Sequence, residues 1–113
     1  MSAPARGEVW LAQLDPIRGH EQAGTRPILI VSDDLFNRGS AGLVIAVPIT
    51  SRLRPIPFHV RMMPPEGGLT VESAALCEAV RSISKERLLK RLGLVSGETL
   101  ELIEDRLRIL LRL

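Results

Sequence analysis

The stretch EVWLAQLDPIRGHEQAGTRPILIVS, Glu8 to Ser32, decides how the chain is read. Two apolar runs, EVWLAQL and ILIVS, flank the thirteen residues from Asp15 to Pro27, DPIRGHEQAGTRP. That connector holds two Pro, two Gly, two Arg, one His and a Glu-Gln pair. Such residues break regular structure and carry most of the local chemistry. The flanking runs predict strands over Gly7–Leu14 and Arg26–Asp33, the second a continuous apolar run suited to burial.

Outward from this pair, DLFNRGSAG reads as a short helical turn ending in Gly, and LVIAVPIT (Leu43–Thr50) as a third strand. Pro48 has no donor, so this strand is expected to lie at an edge or to end there. FHVRMM alternates and predicts a fourth strand, PPEGG a turn, and SAALCEAVRSI one or two strands more. SKERLLKRL is expected to form a short helix with Ser84 as its cap. SGETLELIEDRLRILLRL is the clearest helix, with Leu100, Ile103, Leu107, Leu110 and Leu111 forming one apolar stripe. Its acids lead and its arginines follow, matching the helix dipole. Five or six short strands with helices at the end predict a single domain, residues 1–113: a small curved, barrel-like sheet with helices packed on it.

Composition bounds the function. The 113 residues are 45% hydrophobic and 25% charged, the profile of a soluble globular domain. Aromatics are scarce, with one Trp, two Phe and no Tyr, which argues against recognition by stacking side chains. Thirteen of the fifteen cations are Arg, and no acid occurs between Asp34 and Glu66, where Arg38, Arg52, Arg54 and Arg61 fall. Guanidinium forks suit phosphate, so this gap points to a surface that meets an anion, with solvated charge as the plain alternative. The single Cys77 excludes an internal disulfide and reads as a buried thiol in a reducing compartment. No secretory signal is visible, and no run approaches the ~18 apolar residues of a membrane span. The expectation is a cytoplasmic protein that does not engage a membrane.

No Cys pair or His-Glu spacing suggests a metal site, and no phosphate loop or dinucleotide fingerprint appears. An enzyme of this composition is expected to work without metal or cofactor. Two histidines, His20 and His59, and many arginines suit one economical chemistry, cleavage of RNA by its own 2′-hydroxyl. The residues alone leave open whether His20 and His59 form an acid–base pair or are simply exposed.

Taken together, RGEVWLAQLDPIRGHEQAGTRPILIVSDDLFNR resembles the N-terminal signature of the MazF/PemK family of endoribonuclease toxins from toxin–antitoxin modules. Matched positions run from Arg6-Gly7 through Arg26-Pro27 to Asn37-Arg38, and VPIT, FHV, EGGLTVESA and VRSISKERL fit as well. The resemblance implies a small SH3-like β-barrel with a C-terminal α-helix, working as a homodimer. It implies metal-independent, sequence-specific cleavage of single-stranded RNA to a 2′,3′-cyclic phosphate and a 5′-hydroxyl, restrained by a cognate antitoxin. Such an antitoxin would be an acidic, partly disordered segment lying over the basic surface.

By the same resemblance the catalytic pair is Arg26 and Thr50, with Glu21 orienting Arg26 or taking the 2′-hydroxyl proton. Gln22, His20, His59, Ser73 and Glu78 fall among the RNA contacts, while Asp15, Pro16 and Gly19 shape the loop. Two positions depart from the pattern. His20 stands where the family usually has Ser, and Ala79 follows Glu78 where many relatives have Gln. Rival readings are a gyrase poison of related fold and a barrel that binds RNA or antitoxin without cleaving. The first depends on a C-terminal Trp-Gly-Ile, whereas this chain ends Leu110 to Leu113 and has its Trp at position 10.

Overall fold

The computed structural model describes residues 3–14 and 24–113. Seven antiparallel strands and a C-terminal helix make up most of it: β1 (Glu8–Leu14), β2 (Gly24–Ile30), β3 (Leu43–Thr50), β4 (His59–Met62), β5 (Ser73–Leu76), β6 (Arg81–Ser84), β7 (Leu88–Leu94) and α2 (Gly97–Leu111), with the one-turn α1 (Asp34–Asn37) after β2. The hydrogen-bonded path runs β4-β5-β3-β2-β1-β7, and β6 also pairs with β3. Among the described residues no pairing joins β4 to β7. The sheet is curled rather than closed, so the expected barrel is one only in outline.

Strands β1 to β3 are apolar on both faces. Val9, Leu29, Val47 and Ile49 point into one core with Val60, Met62, Cys77 and Ile103. Trp10, Ala12, Ile28, Ile30, Val44 and Ile83 form a second core on the other face. Each of these large side chains, once removed from water, contributes about 1.5–3 kcal/mol. Burial on two faces explains the continuous apolar run in β2, since a one-sided sheet would alternate.

Pro48 does not mark an edge. Strand β3 pairs with β2 on one side, while on the other it pairs with β6 through Ala46 and with β5 from Ile49. The Ile45 carbonyl accepts from Val31, on the β2 side, and the Gly42 carbonyl accepts from Lys85, on the β6 side. Backbone direction alternates along a strand, so the Pro48 nitrogen faces the gap between the end of β6 and the start of β5. A missing donor costs nothing there.

The expected helix over Ser84–Leu92 is the main departure. Ser84 does cap a turn, its hydroxyl accepting from the Glu86 amide, but that turn is a 3-10 helix of three residues, Lys85–Arg87. Leu88 to Leu94 then extend and pair with β1. The charge-and-leucine pattern suits a strand with one face on the core as well as a helix, and the open ladder of β1 decides between them. Within α2, Ile103 is fully buried and Leu100, Leu107 and Leu110 pack against the first core, but Leu111 is exposed. The helix starts at Ser96, whose hydroxyl accepts from the Thr99 amide at 3.1 Å. Among the described residues no helix is long and apolar enough to cross a membrane.

Candidate functional site at the open end of the β2–β3 pair

Arg26 lies on β2, held by pairing with Ala12 of β1. The β2–β3 register places Ile28 opposite Pro48 and Ile30 opposite Ala46. Continued by two residues, it sets Arg26 opposite Thr50 on the same face of the sheet, since side chains two apart share a face. Directly opposed residues of an antiparallel pair have Cα atoms ~4.5–5.5 Å apart. Arg26 and Thr50 are thus level in register, two residues beyond the last paired residues of the two strands.

Beside them opens a cleft of about 300 Å³, walled by Arg26, Pro27, Ser51, Thr70, Ser73 and Leu92 among others. Its far wall is set by the 3-10 turn Glu66–Gly68, which lies on β7. Gly68 has φ +73°, and a Cβ there would come within 2.1 Å of the Leu92 carbonyl oxygen. Only glycine permits that approach. Polar hydroxyls on an apolar floor beside a fixed cation suit a nucleotide better than an apolar ligand.

Thr50 is buried, one residue back from the cleft wall, and its hydroxyl oxygen accepts from the Arg52 amide at 3.1 Å. Ser73 is buried too; its hydroxyl donates to the Val71 carbonyl at 3.0 Å, leaving its oxygen to accept. His59 and Glu78 do not line the cleft but bind each other, Nε2 to Oε2 at 2.7 Å. The imidazole is 4% exposed against 40% for the Glu78 side chain. His59 Nδ1 is buried without a hydrogen-bond partner. Of this pair only Glu78 reaches solvent. His20, Glu21 and Gln22 lie outside the described residues.

Of the cations in the acid-free stretch, Arg38, Arg52 and Arg54 are exposed and Arg61 pairs with Glu72 at 3.0 Å. Cys77 is buried, and desolvation, with the Glu78 charge nearby, pushes its thiol up to about 11, so it stays protonated at neutral pH. Among the described residues no three His, Cys, Asp or Glu side chains gather in a way that would hold a metal ion. Thr70, Ser51 and Leu92 were not visible as site residues from sequence. They reach the cleft through tertiary folding, and only the neighbour relation of Ser51 to Thr50 hinted at it.

A curled antiparallel sheet with a terminal helix, and a cleft beside Arg26 at the end of one strand pair, defines a small β domain of one curled sheet. The chain belongs to the PemK-like, MazF-like toxins of type II toxin–antitoxin systems, whose family model matches residues 5–111. It is 39% identical over 109 residues to endoribonuclease MazF9 of Mycobacterium tuberculosis (strain ATCC 25618 / H37Rv), covering 92% of each chain. The fold matches the crystal structure of MazF from Deinococcus radiodurans with a TM-score of 0.88 at 31% identity, over 100% of both chains. It also matches a mycobacterial endoribonuclease solved in complex with its cognate antitoxin, with a TM-score of 0.77 at 32% identity, over 100% of this chain and 97% of that one.

Proposed function

We propose that the protein is a metal-independent endoribonuclease that cuts single-stranded mRNA at a short sequence and so arrests translation. The observation that carries this reading is the alignment of Arg26 with Thr50 beside the cleft, in a chain of this toxin family. The 2′-oxygen of the substrate attacks the adjacent phosphorus, the 5′-oxygen leaves, and a 2′,3′-cyclic phosphate remains. Glu21 takes the 2′-hydroxyl proton. Arg26 neutralises charge on the phosphoryl oxygens and donates a hydrogen bond to the leaving 5′-oxygen, which takes up a proton from solvent water as it departs. Its high pKa makes charge stabilisation its larger contribution. Thr50 donates to a non-bridging oxygen.

RNA contacts fall to Gln22, His20, Ser73 and the His59–Glu78 pair. Ser73, with its oxygen open to a base N–H at the cleft wall, has the clearest support. In the pair, Glu78 meets the base and His59 holds it from behind. The toxin works in the cytoplasm as a homodimer. An acidic, partly disordered antitoxin covers the exposed Arg38, Arg52 and Arg54 and closes the cleft. The relative solved with its antitoxin supports that partner.

The test incubates the protein with a long single-stranded RNA in EDTA and maps the new ends. Cleavage with cyclic-phosphate 3′ ends, lost in Arg26→Ala, is the expected result. Intact RNA, or full cleavage by Arg26→Ala, would overturn the reading.

A further inference from the structure

We infer that the backbone amide of Arg52 is a positioning group for the Thr50 hydroxyl, an inference that rests on the nuclease reading above. Thr50 is buried, 7% exposed. A hydroxyl offers one proton and two lone pairs. One lone pair is filled by the Arg52 N–H at 3.1 Å. Among the described residues no hydrogen bond takes the Thr50 proton. The group is therefore an acceptor already engaged and a donor still unspent.

The geometry of that bond fixes the side chain that carries the donor. An oxygen that accepts from the residue two positions ahead belongs to a tight side-chain turn, which fixes χ1 of a side chain already stiff through β-branching. With one lone pair engaged by the amide, the hydroxyl proton remains for another acceptor. Continuing the β2–β3 register by two residues brings Arg26 level with Thr50. An N–H bonded to the oxygen also polarises the hydroxyl and strengthens it as a donor. The arrangement delivers a neutral hydrogen-bond donor, at a fixed angle, to a phosphate oxygen already held by the Arg26 guanidinium. Such preorganised donors act because they need no reorientation when charge develops.

The Arg52 side chain is exposed, so what the turn uses at position 52 is the amide. Every residue except proline supplies it. The position should tolerate wide side-chain change and reject proline.

The experiment compares single-turnover cleavage of a defined RNA by Arg52→Ala and Arg52→Pro, each alone and with Thr50→Val. With Thr50 present, Arg52→Pro is expected to cleave ~10-fold more slowly than Arg52→Ala, the loss of one well-placed hydrogen bond. With Thr50→Val, the gap is expected to close to within ~2-fold, because groups that act through each other are not additive. A gap that persists without the Thr50 hydroxyl would show mere loop distortion and overturn the inference, as would no gap with Thr50 present. Amide exchange gives a reading independent of rate. The Arg52 N–H is expected to lose protection in Thr50→Val and keep it in Thr50→Ser; unchanged protection in Thr50→Val would overturn the inference. Should wild-type protein leave RNA intact, the nuclease reading falls, while the exchange result still decides the Arg52–Thr50 bond.

Discussion

Arg26 comes level with Thr50 when the β2–β3 register is continued two residues beyond the paired Ile28 and Pro48. The first carries a fixed charge and the second a buried hydroxyl, so their losses should differ. Arg26→Ala is expected to lower the cleavage rate by ~10²–10³-fold, as for removal of a preorganised charge-stabilising group. Arg26→Lys should recover little, because a point charge on a flexible stem does not reproduce the fork. Thr50→Val should cost roughly 10-fold or more. Melting curves of all three should stay close to wild type, which separates chemistry from folding.

Acid stability should depend on Glu66. Burial alone would raise its carboxyl, but hydrogen bonds from Thr99 and from the amide and hydroxyl of Ser96 outweigh it and hold the folded value below the ordinary 4.5. A depressed folded value gives stability that is present above the unfolded value and is lost as pH falls through the folded one. Unfolding free energy should therefore be level near neutrality and decline below about 4.5. Glu66→Gln should cost about 1 kcal/mol at pH 7, with the difference vanishing at pH ~2. Denaturant titrations across pH read this directly.

The His59–Glu78 pair makes a prediction about stability. With Nδ1 already unpartnered, loss of the Nε2 partner would leave the buried ring with no hydrogen bond. Glu78→Ala should destabilise by ~1–3 kcal/mol, and Glu78→Gln by less, because an amide oxygen still accepts. Thermal melts at pH 7.5 compare the two. Equal effects would place the cost elsewhere.

Gly68→Ala should destabilise by roughly 2–4 kcal/mol, through a left-handed backbone and a Cβ driven into the Leu92 carbonyl. The same clash pushes the 3-10 turn off β7 and opens the cleft wall. RNA cleavage should fall further than the lost stability explains, measured at a temperature where the variant remains folded.

Much of this architecture was legible in the residues. The β-branched run of β2 announced a buried strand and the three- and four-residue leucine spacing announced α2, whereas Pro48 pointed to an edge for β3 that the pairing on both sides of that strand overturns. Leu88 to Leu94 misled because seven residues of mixed charge and leucine carry no periodicity long enough to separate strand from helix. Their state is fixed by β1, some 80 positions away in sequence. SAALCEAVRSI held both β5 and β6, but the 3-10 turn Cys77–Ala79 that divides them has no strong turn residue. Arg26 and Thr50 could be named through family resemblance, whereas their alignment depends on register. The cleft wall was beyond sequence, since it comes from Gly68 meeting Leu92 across the fold.

The two apolar faces of β1 to β3 carry a hazard. In most sheets a one-residue slip is forbidden because it turns oily side chains toward water. Here a slip of β3 against β2 would exchange one set of aliphatic groups for another, and the hydrophobic effect would scarcely object. Pro48 objects. A slipped and rotated β3 would turn its nitrogen toward β2, into a ladder that needs a donor. Proline at this place acts as a key cut for one alignment. Pro48→Val should produce a folded protein with a second set of amide resonances and lowered activity, and a single unchanged set would refute the idea. What the key protects is less the fold than the weapon: a chain one notch out of step would stay compact and soluble, yet carry its arginine opposite the wrong partner.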